Sequence, residues 1–133
     1  MRLSRKGEYA CLAMIDLAQQ YGKGLTSTAA ISKRKGIPPK YLEQILAALK
    51  QAGYVRSRVG AGGGHRLAKD PSRISVAQVL RLIDGPLAPV TSVSRYFYES
   101  TPIEKSPKMK RLLQDIRDYI AARLEKTTFH DLI

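Results

Sequence analysis

Cysteine is nearly absent from this 133-residue chain, and the single Cys11 excludes an internal disulfide. No secretory leader is readable at the start, so the chain is expected to work in the cytoplasm. The longest apolar run, YACLAMIDLA (9–18), is interrupted by Asp16 and falls far short of the ~20 residues a membrane span needs. It reads as a buried helix, with Cys11 as core filler rather than a reactive thiol, and no membrane partner is expected. No repeat of solenoid period and no low-complexity tract occurs. Histidine is limited to His65 and His130, in unrelated segments. No nucleophile stands beside a base, no metal-ligand constellation is present and G-x-x-x-x-G-K-[ST] is missing, so neither an enzyme nor a bound cofactor is expected.

Negative charge is scarce too: 11 Asp+Glu face 23 Lys+Arg, a net charge of +12. The excess is uneven. Residues 1–70 hold 13 basic and 4 acidic side chains, net +9, whereas residues 71–133 hold 10 and 7, net +3. A balance of that kind is a statement about partners, and it points to a polyanion bound by the first half. The plain alternative is a solvated basic surface kept for solubility.

What is present reads as short helices and one hairpin. Ser4 caps a helix running to about Gln20, and YGKG (21–24) ends it. A second helix begins at Ser27 or Thr28, turns Ala30 and Ile31 inward and stops at Gly36. Pro38 and Pro39 open a third, whose Leu42, Ile45, Leu46 and Leu49 keep the i, i+3, i+4, i+7 spacing of one buried face, with Gly53 as terminator. Two helices joined by a short glycine turn have the layout of a helix-turn-helix. The outward face of the third helix carries Lys40, Glu43, Gln44 and Ala47, with Tyr41 and Lys50 to one side. Such a set suits major-groove reading: Gln44 pairs with adenine, Glu43 accepts from cytosine, and Ala47 leaves room for a thymine methyl.

YVRSRVGAGGGHRL (54–67) follows, two strand-like runs around a glycine turn, the form of a wing. Glycines at 60, 62, 63 and 64 (Gly62 and Gly63 at the tip) are expected to let backbone approach a phosphate or a minor groove, with Arg56, Arg58 and Arg66 supplying charge. A fourth helix, SVAQVLRLIDG, is capped by Ser75, buries Val76, Val79, Leu80 and Ile83, and ends at Gly85. The fold expected is mostly α with a small β-hairpin wing: a winged helix-turn-helix over 1–85, an irregular connecting segment over 86–106, and a long helix with a C-terminal tail over 107–133. In the connection, Tyr96, Phe97 and Tyr98 either pack on a neighbouring helix or line an effector pocket. The long helix carries Met109, Leu112, Leu113, Ile116, Ile120 and Leu124 as one stripe. A stripe of that length needs a cover, and a second copy of the chain is the economical one, giving a homodimer on a palindromic site.

MRLSRKGEYA, YLEQILAALKQAGYV, GAGGGHRLAKDP, SVAQVLRLIDG and TTFHDLI together resemble the Rrf-type family of winged-helix transcription regulators, which includes the iron-sulfur cluster regulator IscR. The resemblance spans nearly the whole chain. It implies a homodimer with a long C-terminal dimerisation helix, binding promoter DNA through recognition helix and wing. By position, it places DNA contacts around Arg2, Ser4, Lys6, Lys40, Tyr41, Glu43, Gln44 and the wing. Three departures stand out. Val59 replaces a basic residue common before the wing glycines, a role transferred to Arg58 or Arg56. His65 replaces an aromatic residue, and stacks or fills space there. Cluster-binding members place three cysteines before the long helix, and 86–106 holds none, so a cluster-free regulator is expected. Its control is left to a small molecule near Tyr96, Phe97 and Tyr98, to a partner protein, or to no signal at all.

Function then divides by class. A DNA-binding homodimer that controls genes, as a repressor or an activator, requires double-stranded DNA with a symmetric site. An RNA-binding or ribosome-associated basic module would need a way to read A-form RNA, whose deep, narrow major groove excludes a recognition helix. Catalysis finds no residues to carry it.

Overall fold

The fold is built outward from α1. In the computed structural model, which describes residues 1–133, Ser4 takes the N-cap position and its Oγ accepts from the Gly7 N–H at 2.9 Å. Helix α1 (Arg5–Gln19) then buries Ala10, Ala13, Met14 and Leu17, one helical face, at the centre of the molecule. Helix α2 (Thr28–Lys35) starts at the Ser27 cap and ends at Gly36, whose φ of 65° is the left-handed conformation that glycine adopts without steric cost. Ile31 is its buried anchor, with Ala30 half-buried beside it. Helix α3 (Pro39–Gln51) buries the expected four residues, Leu42, Ile45, Leu46 and Leu49.

Strands β1 (Val55–Arg58) and β2 (Gly64–Leu67) form an antiparallel hairpin in which Val55 opposes Leu67 and Arg56 opposes Arg66. A residue from outside the hairpin extends it. Thr26 exchanges both backbone hydrogen bonds with His65, each 2.8 Å, so the segment before α2 lies along β2 as a third, one-residue strand. Helix α4 (Val76–Asp84) carries a capping box: Ser75 Oγ accepts from the Gln78 N–H, and Gln78 Oε1 accepts from the Ser75 N–H. Its Val76, Ala77, Val79 and Leu80 join the core, with Ile83 half-buried against it.

Residues 86–106 form single turns of 3₁₀ helix at Thr91–Val93 and Pro102–Lys105 and no longer regular element. Helix α5 (Pro107–Lys126) is the longest element. The tail beyond it does not leave the molecule. Val76 N–H donates to Thr127 O at 2.9 Å, Phe129 N–H donates to Ile74 O at 3.1 Å, and the Phe129 ring is completely buried in the central core. Residues 1–85 and 107–133 therefore share one core.

Candidate nucleic-acid interface

The helix-turn-helix is held by a single buried charge. Asp16 on α1, 1% exposed, accepts from Arg34 Nε at 2.8 Å and from Arg34 Nη2 at 2.9 Å, fixing α2 against α1 through a two-point contact. The turn into α3 is fixed by Ser32 Oγ, which donates to Ile37 O, and by the buried Ile37 side chain. With its inner face so anchored, α3 turns Lys40, Tyr41, Glu43, Gln44, Ala47 and Lys50 to solvent, all exposed. The Tyr41 ring rests against Tyr9 of α1, centroids 5.7 Å apart. The outward set expected from the sequence is thus one continuous surface.

Beside it stands the wing, joined to the helices by His65. Its Nε2 pairs with Thr28 Oγ1 at 2.8 Å and its Nδ1 with Ser57 Oγ at 2.7 Å, so one half-buried ring ties β2 to β1 and to the first turn of α2. Burial, and then the nearby Lys50 charge, lower its pKa from the ordinary histidine value. Stacking is not its role here. A shallow groove of about 230 Å³ runs between wing and α3, lined by Glu43, Ala47, Lys50, Val59 and His65 among others.

Two of the wing glycines are required by close backbone approach, one within the hairpin and one to the segment before α2. A Cβ on Gly63 would collide with Arg58 O, and one on Gly64 would collide with Thr26 O. Gly60 and Gly62 have φ of 97° and 73° with open space beside them, and Val59 is 94% exposed at the tip. Alternation along the strands then divides the wing into two faces. Ser57 and His65 look toward α2 and α3, while Arg56, Arg58 and Arg66 look the other way, onto the turn that joins α1 to α2. The wing arginines and the α3 face are two surfaces that meet where Arg56 borders a groove with Lys50 at the end of α3.

At the N-terminus, Arg2 is exposed and Lys6 half-exposed, whereas Ser4 is committed within the fold. Its N–H donates to Asp84 Oδ2 at 2.9 Å, its hydroxyl donates to Asp84 Oδ1 at 2.5 Å, and its Oγ still accepts from Gly7. The hydroxyl proton a phosphate would need is already placed. Gly7 is glycine because a Cβ would run into the Asp84 carboxylate.

Tyr96, Phe97 and Tyr98 do not line one cavity together: Tyr96 borders an open groove of about 460 Å³ with Arg73, Gln78, Arg95 and Glu125, which Phe97 and Tyr98 do not reach. The recess beside Tyr96 and Phe97 is only about 10 Å³. Tyr96 lies under the Arg81 guanidinium at 4.8 Å, and Tyr98 Oη donates to Glu104 at 2.7 Å. Nor do the residues present fit an iron-sulfur cluster. Thiolates hold such clusters, and the one thiol, Cys11, is pushed up to about 11 by burial and then by the Asp84 charge. No three His, Cys, Asp or Glu side chains stand close enough together to hold a metal ion.

Comparison with known proteins agrees with this architecture. The family model described as "Rrf2: Iron-dependent Transcriptional regulator" matches residues 3–133. The chain is 34% identical over 132 residues to the HTH-type transcriptional regulator CymR of Bacillus subtilis, spanning 99% of this chain and 89% of that one. To IscR of Photobacterium profundum it is 45% identical over 84 residues, 63% of this chain and 49% of that one. Among solved structures, CymR, the global cysteine regulator of B. subtilis, superimposes with a TM-score of 0.85 at 34% identity, covering 99% of this chain and 95% of that one. IscR of T. potens superimposes with a TM-score of 0.76 at 32% identity, covering 99% and 85%.

Proposed function

The chain belongs to the Rrf2 family of DNA-binding transcriptional regulators, which are not enzymes, and from that premise we propose that it binds promoter DNA as a homodimer at an inverted repeat, without an iron-sulfur cluster. The observation that carries this reading is the α3 surface: a helix buried along one face by Leu42, Ile45, Leu46 and Leu49 turns Lys40, Glu43, Gln44 and Ala47 outward beside a hairpin. Such a helix enters a major groove, where glutamine and glutamate side chains distinguish bases and lysines set the register on phosphates. Arg2, Lys6, Lys40 and Tyr41 serve as backbone contacts and Glu43 and Gln44 as base readers; the wing tip around Gly62 enters the neighbouring minor groove.

The homodimer reading is supported by the exposed apolar side chains of α5, and a twofold pair would set two α3 helices about one DNA turn, or a small multiple of it, apart along the duplex. The cluster-free reading is supported by the lone Cys11, since thiolates hold such clusters and no three His, Cys, Asp or Glu side chains stand together. Occupying a promoter in the cytoplasm would act first as repression, by occlusion. Any effector must then bind the DNA-competent and incompetent states unequally.

Selection of genomic fragments by the purified protein at physiological salt, followed by sequencing, tests the reading. A recurring inverted repeat is expected. On that repeat, Glu43→Ala should relax preference at one position per half-site, while Lys6→Ala should weaken specific and random duplexes alike. Retention without a shared motif, or preference for structured RNA over duplex DNA, overturns it.

A further inference from the structure

The far face of the wing carries a charge arrangement that base reading by α3 leaves unused. Arg56 and Arg66 are directly opposed across the two strands, and Arg58 lies two residues along on the same face. Like charges placed opposite one another destabilise an antiparallel pair. Neutralisation would be the usual remedy, yet none of the three arginines enters an ion pair. Arg58 Nη2 reaches only Gly62 O, at 3.3 Å. The arrangement is one that a fold would avoid unless something outside the chain supplied the negative charge.

Facing these arginines is the turn between α1 and α2. Together they bound an open groove of about 800 Å³, into which Tyr21 and Leu25 project and no carboxylate does. Gly22 and Gly24 hold φ of 81° and 92°, and the amides of Gly22, Gly24 and Leu25 donate to no atom of the chain. Exposed Lys23 sits between the two glycines. Unpaired amides and guanidinium groups on facing walls are donors without acceptors, the reverse of what an acidic or apolar ligand site for a cation would offer.

We propose that this groove is a second phosphate track, in which the DNA backbone flanking the half-site read by α3 runs between the arginine face of the wing and the Tyr21–Leu25 turn. The inference rests on the reading of the chain as a DNA-binding regulator, and adds a contact surface on the opposite side of the wing from α3. Two residues of strand advance roughly 7 Å, comparable with the step between neighbouring phosphates along one strand, so Arg56 and Arg58 address successive phosphates. Arg66, beside Arg56, takes the same phosphate from the other strand of the hairpin. The like-charge stress in the free wing is relieved when the duplex enters.

Fluorescence anisotropy with a mixed-sequence duplex of roughly 40 base pairs, long enough to flank two half-sites, tests this across a KCl series. Relative to wild type, Arg56→Gln with Arg66→Gln should flatten the slope of log affinity against log salt by about 1 per bound protomer, the one phosphate the pair shares. Arg56→Lys with Arg66→Lys, which keeps the charges, should retain the slope. In thermal melts without DNA at low salt, the Gln pair should be at least as stable as wild type, since it removes the opposed charges; a lower Tm would mean that the arginines hold the hairpin together, and would overturn the proposal. An unchanged slope in the Gln pair, with steep salt dependence in wild type, removes the track and leaves DNA binding by α3 intact. Absence of duplex binding by wild type, or a marked preference for an RNA hairpin through the same arginines, removes both.

Discussion

His65 concentrates in one residue what the wing needs from the rest of the chain. Its backbone pairs with Thr26, and its ring bridges the hydroxyls of Thr28 and Ser57. Because burial and Lys50 lower its folded pKa, the native state favours the neutral ring, while the unfolded chain takes up a proton near the ordinary value of 6.5. Below that pH the unfolded state holds more protons than the native state, so this contribution to stability is complete above about 6.5 and is lost as the solution is acidified. Thermal melts from about pH 7.5 to about 5.5 should show wild type losing Tm more steeply than His65→Gln, with the variant about 1 kcal/mol less stable at the upper end for want of one bridge. Parallel curves would mean that the ring titrates as freely as in the unfolded chain. Nothing in the sequence around His65 announces this role, since Thr28 and Ser57 reach it from positions 37 and 8 residues away.

Among the elements, those with a full local signal were legible: a cap, an apolar stripe of the right period and a terminating glycine located α1, α2, α3 and α4 within a residue or two. What escaped were contacts between elements. Thr26 pairs as a strand of one residue, too short to have a period. Ser4 meets Asp84 across 80 residues, so a hydroxyl read as a DNA contact is already engaged. The two-faced wing was implicit in the spacing of Arg56, Arg58 and Arg66, but only the register shows which face meets α3. The Asp16–Arg34 pair is of the same kind, joining α1 to α2, and it sets up a test at this scale. Arg34→Met leaves Asp16 buried without its partner, and should cost about 2 kcal/mol in urea unfolding, below the range for fully buried pairs because Arg34 is partly solvated. Adding Asp16→Asn should recover part of the loss. If Arg34→Met is neutral, α2 is held by Ile31 and its neighbours alone.

For the whole molecule, α5 decides whether one chain suffices. The sequence shows a single stripe, but the fold separates it into two faces. Ile120 and Leu124 pack on the central core with Ala121 fully buried between them, and Leu113 is half-buried. Met109, Leu112 and Ile116 remain 42%, 51% and 41% exposed, and Tyr119, which continues the row, is 70% exposed. Periodicity cannot make that distinction, because a helix buried by its own chain and one buried by a partner obey the same spacing. The inner residues are therefore structural, and Leu124→Glu should unfold the protein. The outer ones cost little to change in a single chain, so Leu112→Glu with Ile116→Glu should leave the circular dichroism spectrum unaltered while light scattering reports half the wild-type mass. Affinity for the inverted repeat should then fall about a hundredfold or more, because two half-sites are no longer engaged together. If the mass stays that of wild type, the second copy of the chain docks elsewhere, and the outer row of α5 is left to a different partner.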